Sequence, residues 1–235
     1  MVGRTREGEE PLIKAKLVGA SLSAVVVVVG ALVAPVASGA SPSGKDSSWH
    51  IGYYTPSNRT LSMAQAKAGS DGSLAVLPFT DQPNTALLLS TQGSSGFLGN
   101  DLGKTVSATF SVTGAAANDF MFYPDGGSTP ANVRLFFETS FAGGFAYSLY
   151  WWADNASYTL GNGTVTISAT IGATSPWSDW NGQSNTDPNY SGAFDGAASD
   201  ITGIGLSFGG GYHYESGVGT NDGLGTLTLT NFSVS

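Results

Sequence analysis

Beyond residue 40 the chain holds two glutamates, Glu138 in RLFFETS and Glu215 in YHYESG, each beside aromatic residues. A retaining glycosidase needs two carboxyl groups about 5 Å apart, one as nucleophile and one as acid and base. This pair is therefore the candidate for hydrolytic chemistry. The plainer alternative is a strand-edge and a loop carboxylate, and the chain is poor in other charges that would tune such a pair.

A second constellation suits binding. The stretch Ser175 to Tyr190, SPWSDWNGQSNTDPNY, combines Trp177, Trp180 and Tyr190 with Asp179, Asn181 and Gln183. Sugars stack patches of C–H bonds on aromatic faces, while their hydroxyls bond to amides and carboxylates. SLYWWADNAS adds Tyr150, Trp152 and Asp154. For the loop two readings stand side by side: a contact surface, or a lid pinned by one buried tryptophan.

Other chemistry lacks its parts. His50 and His213 are the only histidines, so a zinc site would need two convergent carboxylates. There is no cysteine and no Gly-x-Ser-x-Gly elbow for a nucleophile. Gly209 to Gly211 lacks the lysine of a phosphate loop, and Asp195, Asp200 and Asn221-Asp222-Gly223 reproduce no calcium-loop spacing. No metal or cofactor is expected.

The elements that must position these residues read as short strands rich in Val, Thr, Phe, Tyr and Trp, separated by Gly, Asn, Asp, Ser and Pro. Expected strands are Trp49 to Tyr54, Ser73 to Phe79, Ala86 to Thr91, Thr105 to Thr113, Phe120 to Tyr123, Asn132 to Thr139, Phe145 to Trp152, Thr164 to Ile171, Ile201 to Gly209 and Gly225 to Val234. Alternation is clearest where Val106, Ala108, Phe110 and Val112 oppose Thr105, Ser107, Thr109 and Ser111. In SLYWWADNAS the same rule turns Trp151 to the core and Trp152, with Tyr150 and Asp154, to the opposite face. Helix formers cluster only in Leu61 to Ala68 (LSMAQAKA), ended by Gly69, and Ser191 to Asp200 has room for a short turn. The expected architecture is all-β, a single antiparallel sandwich of jelly-roll type preceded by an N-terminal signal or anchor helix.

Residues 1–40 have a different character. Arg4, Arg6, Lys14 and Lys16 precede an apolar run from Leu17 to Ala34, followed by small residues, as in a secretory signal peptide. Cleavage after Gly39 or Ala40 fits, and an uncleaved anchor is the alternative because the run of eighteen residues is just long enough to span a bilayer. Either way the body, a domain over 49–235 behind a linker over 41–48, is expected to lie outside the cytoplasm. From Ser41 onward five basic residues face fourteen acidic ones, which argues against nucleic acid or anionic lipid as a partner. Membrane contact is expected only through the N-terminal segment. Without cysteine, an exported body must be held by its core.

GFLGNDLGKTVSATFSV (Gly96 to Val112), ANVRLFFETS (Ala131 to Ser140), YTLGNGTVTIS (Tyr158 to Ser168), DITGIGLSFGGG (Asp200 to Gly211) and GTLTLTNFSV (Gly225 to Val234), in this order, resemble the galactose-binding-like β-sandwiches. That group includes many carbohydrate-binding modules and the laminin IV domain. The resemblance implies binding to glycans or matrix. The expected function is a secreted, non-enzymatic module for a carbohydrate or another extracellular or cell-wall ligand, with a structural or adhesive surface protein lacking a small ligand as a further alternative. Many such modules carry an aspartate in the last strand near a structural calcium; here Asn231 supplies an oxygen without charge, which would weaken such a site.

Overall fold

The computed structural model describes residues 48–55, 60–91, 96–115, 119–122, 130–140, 146–211 and 216–235. The expected leader, most of the linker, Glu215 and His213 lie outside the described residues. The chain divides into residues 1–40 and 41–235, and all the described residues lie in the second unit. Among the described residues no helix is long and apolar enough to cross a membrane.

The unit is mostly β, in two sheets whose pairings are all antiparallel. In chain order the strands are β1 (Trp49–Tyr54), β2 (Leu61–Gln65), β3 (Ala75–Pro78), β4 (Thr85–Ser90), β5 (Thr105–Thr113), β6 (Phe120–Phe122), β7 (Asn132–Glu138), β8 (Tyr150–Thr159), β9 (Gly163–Thr170), β10 (Trp177–Asp179), β11 (Gly203–Gly209), β12 (Val218–Thr220) and β13 (Thr226–Val234). The larger sheet runs β10-β8-β7-β11-β4-β1-β2, with β12 bridging β4 and β6; the smaller runs β3-β13-β5-β9. One helix, α1 (Ser191–Ala198), and a 3-10 turn over Tyr147–Leu149 complete the described elements.

Alternation decides what each strand buries. In β5 the side chains of Val106, Ala108, Phe110 and Val112 are buried while every second residue is not. They join Leu227 and Leu229 of β13 and Leu77 of β3 against Ile51, Leu88, Val133, Leu135, Phe137, Ile204, Leu206 and Phe208 of the larger sheet in one continuous core. This two-sheet arrangement is what an all-β sandwich requires. β4 and β11 behave differently, because all of their residues are buried. Both faces of the larger sheet are therefore covered at its centre, which locates a second apolar layer outside the sandwich core.

The helix expected over Leu61 to Ala68 is absent. Leu61–Gln65 is instead an edge strand paired along its length with β1, from His50 opposite Gln65 to Tyr54 opposite Leu61. Helix propensity is worth only tenths of a kcal/mol per residue. The free backbone groups of β1 offer the segment a full ladder, and that pairing prevails. β10 and β12, three residues each, are too short to show any period and escape sequence detection.

Candidate functional site

The outer face of the larger sheet carries the second layer. Leu87 and Leu89 of β4, Phe136 of β7 and Trp152 of β8 form a buried cluster with Ala86, and Tyr54, Tyr150 and Trp180 pack against it. The alternation of β7 puts Val133, Leu135 and Phe137 in the core and Arg134, Phe136 and Glu138 on this face. β11 supplies Gly203, Gly205 and Ser207 at the centre, opposite Glu138, Phe136 and Arg134. The missing side chain of Gly203 makes room for Glu138: a Cβ there would stand 2.8 Å from the Glu138 carboxyl oxygen.

Trp152 points away from the core, as its place in the strand predicts, yet it is only 2% exposed. Its ring lies 4.9 Å from Phe136, and its indole N–H donates to Ser207 Oγ at 2.9 Å. It is thus a floor to the face and not an exposed platform. Trp180 and Tyr150 form the rim: their centroids are 5.6 Å apart at 69°, and Trp180 meets Trp152 edge-on at 5.8 Å. Both rings are half-buried.

Polar groups frame this apolar floor. Asp154 accepts from Arg134 at 3.2 Å and from the Ser178 hydroxyl at 2.7 Å. Arg134 is 4% exposed. Burial pushes the Asp154 carboxyl up from the ordinary range, while the Ser178 hydrogen bond and the Arg134 charge oppose that shift. Glu138 lies at the opposite end of the face, beside Tyr150 across the β7–β8 ladder. Its carboxyl is pushed up by burial alone, and Tyr150 is raised by its own burial and then by the charge of Glu138. A carboxyl in that setting keeps its proton to higher pH than an exposed glutamate does. Asp154 stands four residues beyond Tyr150, about 13 Å of extended strand, so the two acids occupy opposite ends.

The remaining expected contacts separate. Trp177 is fully buried in the sandwich core, 5.2 Å from Phe137, with its indole N–H bonded to the Thr170 carbonyl at 2.8 Å. It is the pin of the loop, so its expected place on the contact surface is corrected: β10 pairs with β8 and alternation turns Trp177 inward. Asp179, 1% exposed, accepts the backbone N–H groups of Asn181 and Gln183, both at 2.9 Å, and so shapes its own turn instead of facing solvent. Asn181 is exposed, Gln183 is half-buried, and half-buried Tyr190 is the N-cap of α1. Glu138 is described but its expected partner Glu215 is not.

Arg134, Ser178, Ser207 and Phe136 belong to this face although the loop composition does not point to them. One signal for Arg134 was present: an arginine within NVRLFFE, in step with Phe136 and Glu138. His50, dismissed as a zinc ligand, stands opposite Leu89 and Gln65 in the same sheet, with its Nδ1 buried and without a partner. Among the described residues no three His, Asp or Glu side chains gather as a metal site. Comparison with protein-family models, curated proteins and solved structures finds no match to this chain.

Proposed function

We propose that the outer face of the larger sheet binds carbohydrate, in a secreted or anchored extracytoplasmic module that is not an enzyme. The observation that carries this reading is the Tyr150–Trp180 corner, two half-buried rings set over Trp152 and Phe136 and flanked by the Glu138 carboxyl. Aromatic faces take the C–H patches of a sugar, and a carboxyl beside them takes its hydroxyls. The resemblance to galactose-binding-like modules and the jelly-roll topology belong to this proposal, with a cell-wall or matrix glycan as ligand.

The test compares two tryptophans three residues apart. In pull-downs on insoluble polysaccharides, Trp180→Ala loses at least tenfold in retention and keeps its fold. Trp177→Ala loses about 3–5 kcal/mol of stability and so fails for a different reason. Full retention by folded Trp180→Ala removes this face as the site.

The raised Glu138 carboxyl supports one rival reading, a glycoside hydrolase with Glu138 as general acid and Glu215 as its partner. Release of reducing sugar by the native protein, lost in Glu138→Gln while binding persists, establishes that rival. Binding without release keeps the non-enzymatic one.

A further inference from the structure

β2 closes one end of the larger sheet, and all five of its residues are exposed. Ala66 N–H donates to the Trp49 carbonyl at 2.8 Å, and Thr55 N–H to the Thr60 carbonyl at 2.9 Å. By the antiparallel alternation, Ser62 and Ala64 therefore direct their backbone groups to β1, while Leu61 and Met63 direct theirs out of the sheet. Their side chains lean over Gly52: Leu61 Cδ1 and Met63 Sδ stand 3.1 and 3.2 Å from where a Cβ on that glycine would lie. They nonetheless remain 38% and 44% exposed.

Edge strands are ordinarily blunted by charge, proline or a bulge. LSMAQ has neither charge nor proline, and its register with β1 is unbroken. The end strands β10, β3 and β9 differ. Ser178 of β10 is bridged by Ser184, and Val76 of β3 by Lys67, with Pro78 beside it. In β9, Thr170 is engaged by Ser175 Oγ and the Trp177 indole, and Thr164, Thr166 and Ser168 bring no large apolar side chain to the edge.

We propose that β2 pairs antiparallel with β2 of a second copy about a dyad at Ser62. In this register Leu61 faces Met63 of the second copy and Met63 faces its Leu61. Four backbone hydrogen bonds form, and four apolar side chains close over one another on the outer face. The strand is self-complementary in the isologous sense a two-fold dimer requires. The chain has a formal net charge of −8 while the paired segment has none, so copies repel at long range and association strengthens with salt. If the carbohydrate reading also holds, pairing places two sugar faces on one continuous sheet; the pairing itself does not depend on that reading.

At the dyad, Ser62 meets its own copy in a non-hydrogen-bonded pair with Cα atoms about 4.5 Å apart, within disulfide range. In this cysteine-free chain, Ser62→Cys forms a covalent dimer under mild oxidation at least tenfold faster than Leu224→Cys, a control at a side chain 66% exposed. Adding Met63→Lys or Leu61→Lys lowers that rate at least tenfold, with folding checked by circular dichroism. Raising the salt concentration increases the rate. Equal cross-linking by Ser62→Cys and Leu224→Cys, or rates untouched by both lysines, overturns the proposal.

Discussion

The two sheets turn very different outer faces away from their shared core. On the smaller sheet, Thr105, Ser107, Thr109 and Ser111 of β5 stand in register with Thr170, Ser168, Thr166 and Thr164 of β9. Thr109 bonds to Thr166 at 2.8 Å and Thr105 to Thr170 at 3.4 Å through their hydroxyls, Ser168 donates to the Val106 carbonyl at 3.2 Å, and no charge or ring interrupts these residues. On the larger sheet the equivalent positions hold Arg134, Phe136, Glu138, Tyr150, Trp152 and Asp154. Alternation builds both faces equally well. What differs is that the first is satisfied by its own hydroxyls and solvent, whereas the second keeps charges and rings partly out of water. Desolvated polar groups cost stability, and among the described residues that cost falls on the face proposed to bind carbohydrate.

The largest break in this comparison is expected from Asp154→Ala, which removes the carboxylate facing the buried Arg134 guanidinium. The loss is about 1–3 kcal/mol, below that of a fully buried ion pair because the Asp154 side chain is 35% exposed. Urea unfolding reads it as a lowered midpoint at constant slope. No change would mean that other groups already hold Arg134 and that the two faces differ less than their composition implies.

Glu138→Gln sharpens the comparison through pH. The folded-state carboxyl is raised, so above the ordinary glutamate value of about 4.3 the folded chain keeps a proton that the unfolded chain releases. Stability from this group is fully present below that value and is lost as pH rises through the folded pKa. Melts from about pH 3 to about pH 8 therefore show the variant gaining on the native protein as pH rises, then running parallel to it. Parallel curves throughout would place Glu138 in open solvent.

The smallest effect belongs to the other sheet. Thr166→Val changes stability by no more than about 0.5 kcal/mol, at every pH, and leaves polysaccharide retention as it was. A larger loss would give the hydroxyl ladder a structural role that its exposure does not suggest.

Much of this architecture is legible from local pattern. The bounds of β1 and β5 coincide with the expected ones, and those of β7, β9 and β13 fall within a residue or so. Within SLYWWADNAS the turn of Trp151 inward and Trp152 outward also follows from period two. The irregular register of β7 against β8 between Arg134 and Phe136 has no such signature. Neither does β2, whose helix formers lie in a strand because β1 needed a partner.

Within an unbroken strand such as β5 the sequence alone determined which residues share a face, because that depends on backbone geometry repeating every two residues. Only the tertiary structure decided what each face meets. Trp177 and Trp180 are near neighbours in the chain, and pairing with β8 buries one while the other reaches the rim. Glu138 has its setting from Gly203 and Tyr150, which approach it from other strands. Burial, and with it a carboxyl's hold on its proton, depends on atoms that folding brings close and that no local window contains.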